Sequence, residues 1–399
     1  MISALNRAVN RPGSILLAAL LTLLATARGA DEPAAKGPPS KDSPGLERLS
    51  WIDEAKQPHE AAGRILVEAQ DGGLLLLGQD GRLWSIEKEQ ISARTSAGEP
   101  FRPLTTAALA KQLKAELGNG FDVVTTRHYV ICTSARRQYA QWCGTLFERL
   151  FTSFHNYWKL RGVKLTEPDF PLIAIVLQDE KAFAAFATKD AGADAATAKG
   201  YYSIGSNRMV LYDLTAGAGG QAADDADISR LLADVPFNIA TVIHEATHQI
   251  AFNSGMHVRY ADNPLWLVEG MAMYFETPDL SSKTGWKTAG ALNDHRLDQF
   301  RDFVSSRREG DSLETLIGAD GRFNDARTMP DAYAEAWALS DFLIRTRKEA
   351  YVGYLKTLAA KPRLIFDTPA ERLAEFRAAF GDDLKQLDSE LLKYIKRRK

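Results

Sequence analysis

Short apolar runs separated by glycine-containing breaks dominate the early part of the chain. The runs lie at 64–68, 74–77 and 83–86, and the breaks between them, at 71–73 and 80–81, carry aspartate and glycine. Aspartate–glycine pairs favour tight hairpin turns, so this spacing predicts a small antiparallel β meander. We assign it to a small β module over residues 47–100.

The pattern then alternates between helical and extended segments. The predicted elements are a helix over 105–117, a strand over 128–133, an amphipathic helix over 136–160, a strand over 172–177, and extended segments over 200–203 and 209–212. This order predicts an α+β region over 101–290, with a mixed, mostly antiparallel sheet packed on the helix that comes next. Segment 200–212 is either the free edge of that sheet or an interior strand pair.

Proline and glycine mark the ends of the next two helices. Pro236 and Gly255 bracket a helix over about 237–254. The following helix is predicted to have Asn263 as its N-cap and Pro264 as its first residue. Within it, Gly270 lacks a side chain, which favours a close approach to the preceding helix.

Helical periodicity continues to the end of the chain. The predicted helices lie at 294–308, 331–346 and, with interruptions, 369–397. We therefore predict a mainly helical C-terminal region over 291–399, which completes the cleft.

The first thirty residues predict an export signal. Arg7 and Arg11 precede the apolar run 14–24, and small residues follow it, so cleavage is expected near Ala27 to Gly29. A secreted or periplasmic location follows, without stable membrane insertion after cleavage; an uncleaved anchor is the alternative.

Two further segments are predicted to lack regular structure. Residues 31–46 are rich in proline and small polar residues, which is typical of a disordered linker. Residues 215–227 are rich in glycine, alanine and aspartate, which indicates a mobile loop.

Composition excludes one class of partner and leaves the redox state open. The 399 residues are 45% hydrophobic, the net charge is −2, and lysine and arginine are scattered, so a nucleic-acid partner is not indicated. An exported compartment would permit a disulfide between Cys132 and Cys143, and two buried free thiols are an equal alternative.

The strongest chemical signal is the pentapeptide His244-Glu245-Ala246-Thr247-His248. A four-residue step turns a helix by about 400°, so both imidazoles leave one face with Cβ atoms about 5–6 Å apart. Two imidazoles and a carboxylate suit Zn²⁺ and keep a fourth position open for water, whose pKa falls to about 7. Glu269, 21 positions after His248, can supply the carboxylate, and Glu245 can take the proton of that water.

HExxH followed by a glutamate on a second helix resembles the gluzincins, the thermolysin-like clan of zinc metallopeptidases. The segments 264–276 and 333–337 are similar to exported bacterial proteins of the peptidase-MA-like group, many of unknown function. The resemblance covers roughly 121–354, which makes 101–290 a zincin-like catalytic region. It implies that His244, His248 and Glu269 are the zinc ligands. It also implies that Glu245 is the general base and later the proton donor.

Tyr333 comes after the ligand helix, and this position, together with the resemblance, makes it a candidate donor to the developing oxyanion. The alternative is that Tyr333 is an aromatic packing residue. Tyr260, Tyr274 and His257 are weaker candidates for the same role. Met273 departs from the thermolysin pattern, in which an acid commonly follows the ligand glutamate by four positions. A partner for a zinc-bound imidazole must come from elsewhere, and Glu276 is the candidate, with a solvated helix end as its alternative.

Two functions are consistent with these residues. The first is an exported zinc-dependent metallopeptidase that hydrolyses peptide or protein substrates. The second is a non-catalytic exported binding or scaffold protein in which zinc ties two helices together. A fourth protein ligand, for instance His257, would favour the second, because structural zinc sites are closed.

Overall fold

The computed structural model describes residues 45–216, 225–233, 236–277, 279 and 289–399. Within that part of the chain, no helix is both long enough and apolar enough to cross a membrane. The predicted export signal over 1–30, most of the predicted linker over 31–46 and the centre of the predicted loop over 215–227 lie outside the described residues. The last three residues of that loop already belong to a helix.

The N-terminal β module is a five-stranded antiparallel sheet with the spatial order β4-β3-β2-β1-β5. Its strands are β1 (Gly45–Ile52), β2 (Pro58–Glu68), β3 (Leu74–Gly78), β4 (Leu83–Ile86) and β5 (Ile91–Pro100). The predicted meander of β2, β3 and β4 is confirmed, and β3 is buried along its whole length. β5 is exposed at almost every position, so its sequence carries no apolar pattern by which it could have been predicted.

A second five-stranded sheet supports the helices that hold the candidate site. Its strands are β6 (Asp122–Thr125), β7 (Tyr129–Thr133), β8 (Leu172–Leu177), β9 (Gly200–Ser203) and β10 (Arg208–Tyr212), in the spatial order β6-β7-β8-β10-β9. The predicted α+β class and mixed sheet are confirmed. The sheet is not mostly antiparallel, however, because β7–β8 and β8–β10 pair in parallel and only β6–β7 and β9–β10 are antiparallel.

Helices on both faces explain the parallel pairs. The helices before the site are α1 (Thr106–Leu117), α2 (Arg137–Lys159) and α3 (Glu180–Ala191). α2 joins β7 to β8 and α3 follows β8, and helical crossovers of this kind are what parallel neighbours require. α1 and α3 cover one face of the sheet, while α2 covers the other.

The two cysteines lie on opposite sides of this sheet. Cys132 on β7 belongs to the core under α1 and α3, whereas Cys143 on α2 belongs to the core on the opposite face. Both are buried free thiols. Of the two alternatives in the sequence, the disulfide is therefore wrong.

The two helices that carry the candidate ligands come next. After α4 (Asp225–Ala233), these are α5 (Pro236–Asn253) and α6 (Leu265–Phe275). The predicted bounds of α5 are confirmed to within one residue. Gln249 fixes α5 to the central sheet, since its side-chain amide donates to the carbonyls of Ile173 at 2.9 Å and Asn207 at 3.1 Å.

From residue 289 onward the described chain is mainly helical, as predicted. Its helices are α7 (Asp294–Ser306), α8 (Ser312–Gly318), α9 (Met329–Thr346), α10 (Lys348–Ala359), α11 (Pro369–Phe380) and α12 (Leu384–Arg397).

The predicted start of α6 is wrong in detail. The helix begins at Leu265, and Pro264 occupies the N-cap position. Asn263 does not cap it, because its side-chain amide donates to the carbonyls of nearby loop residues. Asp320 takes that role from a distant loop, since its Oδ1 accepts the Leu265 N–H at 2.9 Å. Arg372 on α11 holds the other oxygen of Asp320 at 2.8 Å.

Gly270 allows a close helix crossing, although not with the helix expected. A Cβ at this position would come within 3.0 Å of both Ser340 Oγ and the Ala336 carbonyl oxygen, which are on α9. The missing side chain therefore brings α6 against α9 rather than against α5. This crossing draws the C-terminal helices up to the ligand helix.

The N-terminal module lies against the turn between β9 and β10. The Leu83 N–H donates to the Gly205 carbonyl at 2.7 Å. Leu75 and Leu77 of β3 share a small apolar core with Tyr202 and Tyr260. The module is thereby joined to the same edge of the central sheet that borders the candidate site.

Candidate metal centre

Helix α5 presents two imidazoles at one point. His244 and His248 are one helical turn apart, and their Nε2 atoms lie 3.0 Å from each other. The rings meet edge to face with centroids 4.6 Å apart. The side chains are almost fully buried, with His244 7% and His248 3% exposed. Two convergent nitrogens in an apolar helix layer need a shared partner, because buried polar groups are rarely left unsatisfied.

Helix α6 brings Glu269 to the same point. Its Oε2 lies 2.9 Å from His244 Nε2 and 3.5 Å from His248 Nε2. Among the described residues, His244, His248 and Glu269 are the group whose donor atoms could hold a metal ion, all within 4.8 Å of one another.

The spacing of these three atoms fits zinc. Ligands bound tetrahedrally at about 2.0–2.1 Å lie roughly 3.3 Å from one another. The observed separations of 3.0, 2.9 and 3.5 Å lie close to that value on either side. The three atoms therefore describe one face of a tetrahedron, and the donor set of two nitrogens and one carboxylate oxygen suits the same metal.

Electrostatics at this point favour a cation. Burial by itself lowers the pKa of His244, but hydrogen bonds to Glu269 and Glu276 outweigh it and raise this pKa to about 10. Burial raises the pKa of Glu269, and the two imidazoles outweigh this effect and hold it well below its ordinary value. The carboxylate thus stays ionised, and a proton or a metal ion competes for the same nitrogen.

Glu276 is the acidic partner of the His244 ring, a role that Met273 cannot fill. Its Oε2 lies 3.0 Å from His244 Nδ1, which leaves Nε2 of the same ring to face Glu269. Seven residues are close to two full turns, so Glu276, just beyond the end of α6, projects on the same side as Glu269. Met273 instead lies in the core.

A polar shell holds Glu276 in turn. The Asn293 side-chain amide donates to Glu276 Oε1 at 2.6 Å, and Arg296 Nε donates to the same oxygen at 3.4 Å. Burial raises the pKa of Glu276, but His244 and Arg296 outweigh it and keep the group ionised. Neither Asn293 nor Arg296 could be recognised from the sequence, apart from the N-cap residue type of Asn293 at the start of α7.

Glu245 lies between the candidate ligands and the edge of the central sheet. Its Oε2 accepts the backbone N–H of Tyr202 at 2.8 Å. Tyr202 is on β9, which among the described strands pairs with β10 alone and is therefore an edge strand of its sheet. Of the two interpretations of segment 200–212, the sheet edge is confirmed for β9, although the Tyr202 N–H on this edge is taken by Glu245. Burial raises the pKa of Glu245, against the opposing charges of His244 and His248.

Tyr333 reaches the site from α9. Burial raises its pKa well above the ordinary value, and the nearby Glu269 carboxylate, which is hydrogen-bonded to the hydroxyl, and Glu245 reinforce the shift. The ring packs on Phe323 with centroids 5.5 Å apart, and the Arg296 guanidinium lies 5.6 Å from its centre. The Tyr333 hydroxyl therefore lies at the site, as predicted for a donor, and its ring also packs in the core, which was the alternative prediction.

The weaker candidates lie further out. The Tyr274 hydroxyl accepts from Tyr157 at 2.7 Å, and Tyr260 is in the core shared with the N-terminal module. His257 is 2% exposed, and neither ring nitrogen has a hydrogen-bond partner in the described part of the chain. It does not belong to the cluster of potential ligands. The described residues therefore supply three ligands, which is the number typical of catalytic zinc sites.

Comparison with known families points to the same region. Residues 238–364 match the model of a family described as a protein of unknown function (DUF1570). This family is peptidase-MA-like. The matched range contains the three candidate ligands, Glu245 and Tyr333, and it confirms the broader part of the resemblance seen in the sequence. No curated protein matches the chain.

Proposed function

We propose that the protein is an exported zinc-dependent peptidase of the gluzincin type. The observation that carries the proposal is the convergence of His244, His248 and Glu269 beside Glu245 at the edge of a sheet. The peptidase-MA-like character of the matched family supports it.

Zinc is the cofactor that this donor set fits. When bound by two imidazoles and a carboxylate, zinc acts as a Lewis acid and lowers the pKa of a bound water to about 7. The role of His244, His248 and Glu269 is to hold it, and Glu276 orients His244 through Nδ1.

Glu245 is the proposed general base. Its raised pKa brings the carboxyl group closer to the operating pH, which favours taking a proton from the attacking water and returning it to the leaving amine. The Tyr202 N–H fixes one of its oxygens, so the other is the one available to that water. Tyr333 stays protonated, because its pKa is raised, and can donate to the developing oxyanion.

The edge strand suits a peptide substrate. The Tyr202 N–H donates to Glu245 and not to β10, so the backbone groups of this residue face away from the sheet. The Tyr202 N–H is itself held by Glu245, so an extended peptide laid along β9 would pair with other backbone groups of the strand, and its scissile bond would lie beside Glu245. Backbone pairing with the strand would thus align the substrate without selecting a particular substrate side chain.

One observation favours the alternative, a non-catalytic exported scaffold in which zinc ties α5 to α6. His244, His248 and Glu269 are only 7%, 3% and 2% exposed, as the ligands of a closed structural site would be. Against it, His257 does not complete a four-ligand set in the described residues.

The two functions can be separated with one variant. Glu245→Gln keeps the shape of the side chain and removes the base, so zinc content by mass spectrometry should stay near one ion per chain. Cleavage of casein and of a peptide library should fall by roughly 10²–10⁴-fold. Glu349→Gln, the same change at a side chain that is 85% exposed, is the matched control and should cleave like the wild type. Stoichiometric zinc without cleavage by the wild-type protein would leave the scaffold as the better account.

A further inference from the structure

Three arginines from separate segments meet beside the β9 edge. Arg64 is on β2, Arg259 is in the connection between α5 and α6, and Arg363 follows α10. Ala261 forms a β bridge with Arg363, which places the latter two segments side by side. Burial and the positive charges of Arg259 and Arg64 lower the pKa of Arg363 to about 10. The Arg64 guanidinium lies over the Phe101 ring, 5.2 Å from its centre, and Phe101 shares one small apolar core with Tyr260 and Leu364, the neighbours of Arg259 and Arg363 in the chain.

These arginines lack the carboxylate partners that buried arginines usually have. Within the described chain, none of the three forms an ion pair, and the Nε atoms of Arg64 and Arg363 are buried without a hydrogen-bond partner. Asp80 is the acid whose charge reaches Arg259, but its carboxylate lies beside Arg208, at 3.9 Å. The cluster is thus a concentration of positive charge in which the Nε–H groups of Arg64 and Arg363 have no acceptor in the described chain.

Arg259 is also bonded to the turn that follows the strand next to Glu245. It is 7% exposed, and its NH1 donates to the Ile204 carbonyl at 3.1 Å. Ile204 comes two residues after Tyr202, whose N–H holds Glu245. Ile204 lies in the turn that follows β9, so the arginine cluster borders the end of the strand whose Tyr202 N–H holds Glu245.

We infer that Arg64, Arg259 and Arg363 form a subsite for a carboxylate of the substrate, at the end of the β9 edge. The inference rests on the proposed peptidase function for its substrate class. Guanidinium groups bind carboxylates through paired, charge-assisted hydrogen bonds, and a peptide offers a carboxylate at its C-terminus or on an aspartate or glutamate side chain. Arg64 and Arg363 are only partly buried, which leaves the cluster open to such a group.

The test measures binding without turnover. Zinc-loaded full-length Glu245→Gln protein is titrated calorimetrically with acetyl-capped hexa-alanine peptides that end in a free carboxylate or in an amide. A second pair of amidated peptides carries glutamate or glutamine at an internal position. We expect the free carboxylate or the internal glutamate to bind roughly tenfold more tightly than its neutral match, and the pair that shows this preference identifies the source of the carboxylate.

Arginine variants assign the preference to the cluster. Arg363→Gln and Arg64→Gln should each abolish most of it, and Arg363→Lys should restore part of it. Arg161→Gln is the matched control, because Arg161 is also partly buried with an unpartnered Nε and, like Arg64, lies over an aromatic ring, but this ring is Tyr157 at the end of α2. Zinc content and melting temperature show whether each variant is folded.

The outcomes separate this inference from the proposed function. If the wild type cleaves no peptide but the carboxylate preference is present and depends on Arg363 and Arg64, the subsite stands and the peptidase function fails. Equal binding of charged and neutral peptides, no binding of either, or a preference that survives both substitutions overturns the subsite, whatever the cleavage assay shows.

Discussion

Replacing Glu276 by glutamine should weaken zinc binding by roughly 10- to 100-fold. Glu276 accepts from His244 Nδ1 at 3.0 Å and is itself fixed by Asn293 and Arg296. Glutamine has nearly the same shape, so the change removes a charge from the buried shell without leaving a cavity.

Two effects of this charge oppose each other. The pKa of His244 is about 10, so at pH 7 a metal ion must displace a proton, at a cost of about 3 × 1.36, or roughly 4 kcal/mol. Removing the Glu276 charge lowers that cost. It also removes the attraction between Glu276 and the bound zinc, whose double charge gives about twice the interaction of a single proton. The second effect is larger, and a 10- to 100-fold loss corresponds to about 1.4–2.7 kcal/mol.

Competition with a zinc-binding chromophore at pH 7 measures this affinity, and Glu349→Gln controls for the chemical change at an exposed position. An affinity of Glu276→Gln within twofold of the wild type would contradict the reasoning, as would tighter binding. Either result would mean that Glu276 does not support His244 as a ligand.

Three further predictions concern stability. Gly270→Ala should lower the free energy of unfolding by about 1–3 kcal/mol in urea titrations, because its methyl group would overlap α9. Gly353→Ala on α10, with no atom near the added methyl, should instead be neutral or stabilising, and equal effects at the two sites would refute the crossing. Arg372→Met should cost about 3–5 kcal/mol, since it leaves the buried carboxylate of Asp320 without its arginine and leaves Asp262 with Lys361, at 3.3 Å, as its ion-pair partner in the described part of the chain. Arg377→Met on the same helix should cost little, and a small loss for Arg372→Met would count against a buried ion pair. Burial, with the nearby positive charge of His248, lowers the pKa of His257 to about 3, below its unfolded value of about 6.5, so the unfolded chain binds more protons between these values. The unfolding free energy of metal-free protein should therefore fall as pH drops below 6.5, by up to about 1.4 kcal/mol per unit, and an unchanged slope between pH 6.5 and 5 in His257→Phe would exclude this group as the cause.

Local patterns were enough to predict the residues of the candidate centre. The positions of His244 and His248 on one helix follow from a four-residue step, and Pro236 and Gly255 mark the limits of that helix. Glu269 and Glu276 follow from a second helix with its own punctuation and a seven-residue spacing. Each of these inferences needs only the geometry of a single helix.

Contacts between distant segments could not be predicted in this way. Asp320 caps α6 from 55 positions away, and Gly270 faces α9 rather than α5. The Tyr202 N–H reaches Glu245 only because β9 is an edge strand, which depends on the strand order of the whole sheet. Such features are set by tertiary packing, and the local sequence carries no pattern that distinguishes the alternatives.

The proposed function depends on a zinc ion held by His244, His248 and Glu269 with a fourth position open. Zinc K-edge X-ray absorption of the metal-loaded wild-type protein measures this ligand set. We expect two imidazoles and one or two additional oxygen ligands at about 2.0–2.2 Å, with loss of the ordered imidazole signal in His248→Ala. A third imidazole, or a sulfur ligand near 2.3 Å, would contradict it.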